Sequence, residues 1–520
     1  MPLIADTSAF KVVSKKRVFL LVGLVLLFFI THIPKLGSDE INPDAINWHQ
    51  RSEQYVDAIK SKDFLRTYQH YHPGVTLMFL TGVPVELLKR AQPERVEYSR
   101  FSYEAFHTVA KLSINSVILV LIIYLIFNLT KIVGFNKAFF VGVLLVIDPF
   151  FLGNTRLLHM DALLSVFLAN ALTAFYLGVK RKSILYLMFG SVLLGFSFWT
   201  KNIAILAVLY ALGWILLVTL FQKLGRRFLL KGIVLIVLGF FLAGYSILPA
   251  LWVNPKRVFT KIINGSALVV NEGHEEVFLG EITNDPGPFY YPLVLLFKLS
   301  PFVLILSIGS LVYFTLILIR EKKFLSSQHL FVYYLVLFAL GYFVAIEVAN
   351  KKIDRYLLPL FPLFYVFVSV FIFDLLARTN KTYLYITVFF AFALFSAWDL
   401  RKYFPYYFVY NSYLFGGAER AGKLIGQKSF GIGVFEVKDF IVNNYGMVKV
   451  GFVDRKPIAA IYPNSLVFDV RAYGPTNYDI LVLDSDESMP KKALGKFVLD
   501  KSIKIGGVNF WNFYVKIPQE

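Results

Sequence analysis

The sequence predicts a polytopic α-helical membrane protein that ends in a small α/β domain, and three observations predict it. Long apolar stretches recur as far as residue 397, each close to the roughly 20 residues needed to cross hydrocarbon. Hydrophobic residues make up 57% of the chain and the mean hydropathy is +0.62, above what a water-soluble domain carries. Beyond residue 398 the apolar runs shorten to strand length and alternate with polar turns.

About 11 spans are expected, near 18–34, 105–128, 138–153, 162–179, 183–199, 203–221, 228–250, 302–319, 330–346, 357–376 and 382–397. The first is too long for a cleavable signal and no small-residue cleavage site follows it, so a retained anchor is expected. Threading the spans up and down gathers the basic residues on one face. These are Lys11, Lys15, Lys16 and Arg17, then Lys131 and Lys137, Lys180 to Lys182, Lys223, Arg226 and Arg227, Arg320, Lys322 and Lys323, and finally Arg378 and Lys381. By the positive-inside rule this face and the N-terminus are cytoplasmic, in the inner or plasma membrane of the cell. The charge bias also accounts for most of the +19 net charge, so nucleic acid is excluded as a partner and the lipid bilayer is the expected one. The opposite, extracytoplasmic face receives 35–104, 154–161, 200–202, 251–301, 347–356 and everything after 398.

Within 35–104 the apolar piece 75–88 is too short to span and holds Pro84, which predicts a re-entrant or interfacial helix. Two domains follow: a membrane domain, 1–398, and an extracytoplasmic α/β domain, 399–520. The latter has strands expected at 431–435, 447–453, 457–462, 466–470, 479–484 and 509–516 and a helix at 436–445. The absence of cysteine rules out disulfides and thiolate metal sites.

Residues able to do chemistry concentrate in the external segments. The first carries Asp39, Glu40, Asp44, Trp48, Arg51 and the His72-Pro73-Gly74 turn. Asp44 follows Pro43 ahead of a helical segment, so helix capping competes with a catalytic reading. Between the third and fourth spans lie Arg156, His159 and Asp161. His159 and Asp161 diverge by about 200° on a helix, so they meet only if the backbone there is irregular. Near 251–301 the cluster Glu272, His274, Glu275 and Glu276 precedes Tyr290, Tyr291 and Lys298. Lys351, Lys352 and Arg355 sit at one external helix mouth against the positive-inside bias, where cations suit an interfacial phosphate.

The order of these blocks resembles family 39 glycosyltransferases of the GT-C class: an Asp-bearing first loop, HPG, RxxHMDALL at 156–164, FWTK at 198–201, GHxxxFLG at 273–280, DPGPFYYP at 285–292 and KKIDRYLLPLFP at 351–362. That family includes protein O-mannosyltransferases and the aminoarabinose transferase that modifies lipid A. The resemblance implies a GT-C-like fold and inverting transfer of a sugar from a polyprenyl-phosphate donor to a hydroxyl of an external lipid, glycan or protein. It leaves room for a divalent metal ion. It also implies Asp44 as base with Asp39 as alternate, Lys351, Lys352, Arg355, Lys298 and Lys201 for the donor phosphate, and Arg156, His159 and Asp161 on the acceptor side. Trp48, Arg51, His72, His274, Tyr290 and Tyr291 would then contact sugar or acceptor. The alternative class is a lipid-linked glycan flippase, transporter or polymer ligase. The span centres are nearly free of charge and no repeat is visible, which favours surface chemistry over conduction.

The charge alternation makes a topology prediction. In this cysteine-free chain a cysteine placed at Phe440 is expected to react with an impermeant maleimide from outside the cell, and one at Lys180 only after lysis. Reaction at 440 from the cytoplasm alone would invert the assignment.

Overall fold

The computed structural model describes residues 15–92, 100–222, 225–271, 275–320, 326–379, 381–427 and 429–518; Lys11, Lys223, Glu272, His274, Lys322 and Lys323 lie outside them. The helices are α1 (Lys15–His32), α2 (Pro43–Lys60), α3 (Val75–Ala91), α4 (Arg100–Val133), α5 (Phe135–Ile147), α6 (Pro149–Arg156), α7 (Asp161–Arg181), α8 (Ile184–Thr200), α9 (Ile205–Phe221) and α10 (Arg226–Ile247). There follow α11 (Ala250–Val253), α12 (Pro255–Asn271), α13 (Tyr290–Lys298), α14 (Pro301–Arg320), α15 (Ser327–Val348), α16 (Phe361–Ala377), α17 (Thr382–Tyr403), α18 (Gly417–Ile425), α19 (Val434–Tyr445) and α20 (Lys456–Ala459). Among the described residues eight helices are long and apolar enough to cross a membrane, or nine if the bent pair α5 and α6 is one span. The two remaining expected spans are α1 and the 17-residue α8.

The expected span at 138–153 is broken by its own sequence. Asp148 caps α6, accepting from the Phe151 amide, and Pro149 takes the first helical position, where its missing N–H costs nothing; the two halves meet at 62°. At the centre lies α7, whose apolar window is wholly buried. Small residues bring its neighbour close. A Cβ on Gly190 of α8 would stand 2.7 Å from the Phe175 backbone, so only glycine fits at this contact. The piece expected to be interfacial is helix α3, with Pro84 inside it, packed on the amphipathic α2.

The last span runs to Tyr403, so the change of character at 398 falls inside a helix. Beyond it, strands β3 (Val450–Phe452), β4 (Val467–Asp469), β5 (Ile480–Asp484), β6 (Phe497–Ile505) and β7 (Val508–Lys516) form one sheet. This follows a small hairpin of β1 (Glu276–Phe278) and β2 (Glu281–Thr283) in the membrane domain. The sheet order is β4-β3-β5-β7-β6, with β3 parallel to β4 and β5, and β7 antiparallel to β5 and β6. Three expectations need correction. The run 457–462 begins inside the helical turn α20, which Pro457 suits as its second residue because first-turn amides need no intrahelical partner. In 431–435 only Ile432 pairs, antiparallel to Glu40, before α19 begins at Val434. Strand β6 was not expected, because FVLDKSIKI is a charged edge strand with little alternation.

This domain docks on the loop between α1 and α2 through main chain. Ile41 N–H donates to Gly431 C=O at 3.1 Å and Gly433 N–H donates to Asp39 C=O at 3.0 Å. Gly431 has φ +70° and its Cβ would lie 1.9 Å from the Ile41 carbonyl oxygen. Gly431→Ala is therefore expected to destabilise this contact by at least about 1–3 kcal/mol, read as a lower Tm and faster proteolysis between 404 and 434 than in the parent protein.

Candidate active site

Asp44 occupies the first turn of α2 but does not cap it; Asn42 does, its side chain accepting from the Ala45 amide at 2.7 Å. Freed from capping, the Asp44 carboxylate, 40% exposed, turns to two groups from elsewhere in the chain. Arg355 donates to its Oδ2 at 3.1 Å and His159 Nε2 lies 3.4 Å away. His159 and Asp161 do meet, because 157–160 is non-helical and α7 starts only at Asp161: Nδ1 stands 2.9 Å from Oδ2, at ion-pair distance without hydrogen-bond alignment. Lys201 holds the other oxygen of Asp161 at 2.5 Å, and Arg355 Nε lies 3.3 Å from the first. Burial alone would raise the Asp44 carboxyl, but His159 and Arg355 overcome it and hold the group well below the usual carboxylate range.

A cavity of about 340 Å³ opens beside Asp44, and Tyr290, Lys298, Lys351 and Arg355 line it together with Glu276, Asp354, Gln427 and Phe430. Lys298 is buried, donating to the Tyr410 carbonyl at 3.3 Å and lying 3.9 Å from Asp354; burial pulls its ammonium below the ordinary lysine value. Lys351 has no ion-pair partner among the described residues. It also lines a second, larger space of about 690 Å³, walled by Phe198, Ile205, Phe240, Phe259 and Ile346 and ending in His72, Lys201, Asn202 and Tyr356. At that end the His72 imidazole donates from Nδ1 to Asn202 Oδ1 at 2.8 Å, and burial with the nearby Lys201 charge pushes it down to about 3, so it is neutral. The result is an apolar groove with a polar, cationic end that meets the cavity beside Asp44 at Lys351.

Several expected site residues stand elsewhere. Asp39, 3% exposed, is bound by Lys111 at 2.6 Å and by Arg156 Nε at 2.8 Å; Glu40 takes Lys111 at 3.0 Å. Arg156 spends its remaining donors on the carbonyls of Thr31, His32 and Pro34, closing the end of α1, so it is not at the cavity. Lys352 is turned away, bound to Glu347 and donating to Gly287 C=O at 2.7 Å. Trp48 is 2% exposed, with Arg51 stacked on its ring at 4.7 Å and Gly74 packed against it, so it is a core residue. Tyr291 is buried under the cavity, its hydroxyl accepting from the Ile353 amide. His274 lies outside the described residues. Among the described residues no group of three or more His, Asp or Glu is arranged to hold a metal ion.

Residues that spacing did not single out are Phe408, Gln427, Phe430 and Asp354. Phe430, at φ +47°, stacks on Phe408 and lies under the Arg355 guanidinium at 4.5 Å. It comes from the C-terminal domain, over 380 residues from Asp44 in sequence, and no local signal marks it.

No family model matches the sequence and no curated protein matches it. The crystal structure of ArnT from Cupriavidus metallidurans bound to undecaprenyl phosphate superposes with TM-score 0.50 at 13% identity, covering 98% of this chain and 100% of that one. The same protein in the apo state has TM-score 0.51 at 13% identity, covering 96% and 99%. The Archaeoglobus fulgidus oligosaccharyltransferase in the apo form follows at 0.49 and 11%, covering 92% of this chain and 70% of its own. The likeness to ArnT defines the class by fold: this is an integral membrane protein of GT-C architecture with a small C-terminal α/β domain.

Two stability predictions follow from the charges. Lys111→Met strips the buried Asp39 and Glu40 of their shared cation and is expected to cost about 3–5 kcal/mol, read as a large fall in Tm. Lys111 and His107 hold the Glu40 carboxyl well below its ordinary range against the effect of burial, as His159 and Arg355 do Asp44. Both groups therefore bind fewer protons folded than unfolded. The stability they contribute is complete above about pH 5 and is lost as pH falls through the carboxylate range, which a Tm series from pH 7 to pH 3 checks.

Proposed function

We propose that this protein is an inverting membrane glycosyltransferase of the family 39 kind. It moves a sugar from a polyprenyl-phosphate donor to a hydroxyl of a lipid, glycan or protein acceptor outside the cytoplasm. One observation carries the reading: a partly exposed carboxylate, Asp44, faces a cavity that also receives Lys298, Lys351 and Arg355, and that cavity adjoins a long apolar groove. An acceptor hydroxyl needs a base, a leaving lipid phosphate needs cations, and a polyprenyl chain needs apolar walls.

In this reading the isoprenoid lies along the groove between α9, α10, α12 and α15, and its phosphate reaches Lys351 and Lys201. Arg355 is shared at rest between Asp44 and Asp161. When the donor phosphate draws the guanidinium away, Asp44 loses one of the two groups that suppress its basicity and can take the acceptor proton as the new bond to the anomeric carbon forms and the bond to the leaving phosphate breaks. The proton then has an imidazole beside it in His159, which Asp161 orients. The unaligned buried atoms of His159, Asp161 and Arg355 support such a rearrangement, since catalytic hydrogen bonds often tighten only once substrate is bound. A single displacement inverts the anomeric centre.

With a labelled polyprenyl-phosphate sugar, Asp44→Asn is expected to bind donor normally and lose at least about 100-fold in turnover. Asp39→Asn should lower Tm while the folded fraction still turns over; a dead Asp39 variant beside an active Asp44 variant would move the base to Asp39. Lys351→Ala should raise the donor KM by roughly 10-fold or more, the loss of one charge-assisted phosphate contact, whereas Lys352→Ala should lower Tm with donor KM unchanged.

A further inference from the structure

At the membrane face opposite the candidate active site, a cavity of about 440 Å³ opens between the start of α1, the turn joining α4 to α5, the end of α16 and the start of α17. It lies roughly 27 Å from the loop that holds Asp39, the length of the 18-residue α1. Lys16, Arg17 and Lys137 bring three cations to its lining, and Asp374 is the single carboxylate among the described lining residues. That carboxylate is already engaged: Lys137 donates to its Oδ1 at 2.5 Å, His329 Nε2 stands 3.1 Å from Oδ2, and Gln328 donates to both oxygens.

Lys16 and Arg17 are exposed and have no ion-pair partner among the described residues; the Arg17 guanidinium lies over the Phe135 ring at 5.2 Å. Both stand in the first turn of α1, where the helix dipole disfavours cations, and the first turn of α5 has no acidic residue and no side-chain cap. Like charges gathered in this way favour an anion between them. The rest of the lining is largely apolar, with Leu20, Val133, Phe373 and Ala377. Helix α5 is the wall between α1 and α17, packing on the first and meeting the second through Phe140 on Phe389 at 5.1 Å. Beyond the cavity Phe19 and Val22 of α1 and Tyr383 and Ile386 of α17 are exposed.

We propose that this cavity is a binding site for an anionic phospholipid, its phosphate held by Lys16 and Arg17 and its acyl chains following the apolar walls between α1 and α17. Two unpaired cations complement the charge of the head, and basic pockets between spans at a membrane boundary suit such heads. A soluble anion would use the cations alone and leave Leu20, Val133 and Phe373 without a partner, whereas a phospholipid uses both halves of the lining. The bound lipid braces the start of α1, whose other end is fixed by Arg156 through the Thr31 and His32 carbonyls. The site stands apart from the transfer chemistry and does not depend on it.

The test is thermal unfolding of delipidated protein in dodecyl maltoside micelles, titrated separately with dioleoylphosphatidylglycerol, dioleoylphosphatidylcholine and inorganic phosphate. The parent is compared with Lys16→Gln/Arg17→Gln, with Asn136→Glu, and with Arg226→Gln/Arg227→Gln, which removes the same charge from the start of α10, outside the cavity. Lys11 and Lys15 remain to orient α1 in the first variant. Saturating phosphatidylglycerol is expected to raise the parent Tm by about 2–4 °C, with no shift from the other two additives. The Lys16/Arg17 variant should need at least about 10-fold more of it for the same shift, and the Arg226/Arg227 variant should respond as the parent does. Asn136→Glu places a carboxylate in the first turn of α5 among the same cations, so it should raise Tm without lipid and blunt the lipid response; it carries the comparison if the first variant fails to fold. A parent indifferent to phosphatidylglycerol overturns the proposal, and an equal loss in both double variants does so by assigning the effect to general surface charge. A shift given by inorganic phosphate alone assigns the cations to a soluble anion, and an equal shift from phosphatidylcholine removes the need for an anionic head; either overturns the proposal.

Discussion

The geometry of this protein depends on a buried charge lattice at the root of the loop between α1 and α2. Lys111 of α4 and Arg156 of α6 grip Asp39, Lys111 also grips Glu40, and Arg156 closes the carbonyl end of α1. Charges taken out of water cost several kcal/mol each unless every one is matched, so these groups tolerate only one arrangement. Three helices and one loop are thereby fixed to a common point, and Asp44 begins five residues later on a helix whose entry is set by that loop. The C-terminal domain joins at the same place, through main-chain bonds to Asp39 and Ile41. A domain that is distant in sequence thus supplies Gln427 and Phe430 as walls of the cavity beside Asp44.

A second balance operates at the site itself. Asp161 is fully buried yet is surrounded by Lys201, His159 and Arg355, while Asp44 shares Arg355 and stays partly exposed. The two carboxylates share His159 and Arg355 and differ in accessibility and in Lys201, which only Asp161 holds. The buried one organises cations, and the exposed one can meet a second molecule. An anionic ligand that competes for Arg355 would change the charge felt at Asp44 without any large movement of backbone, because the shared partner is a long, pre-organised side chain.

The sequence alone determined the class of fold and picked out the loops in which polar groups gather. Apolar length and the absence of charge at span centres leave helices as the only way to satisfy backbone groups in lipid, so the spans were legible with close bounds, and Asp148-Pro149 even carries the reason for the one break. His159, Asp161, Lys298, Lys351 and Arg355 were also legible as a set, since polar groups at helix mouths stand out against an apolar background. What only the tertiary structure decided was which of them share a space. Asp39 and Arg156 look as available as Asp44 in the sequence, yet partners more than 70 residues away consume them; Lys351 and Lys352 are adjacent, yet one lines the cavity and the other anchors Gly287. Local spacing carries helix periodicity and capping, but a side chain's availability is set by what the rest of the fold brings against it, and that information is non-local.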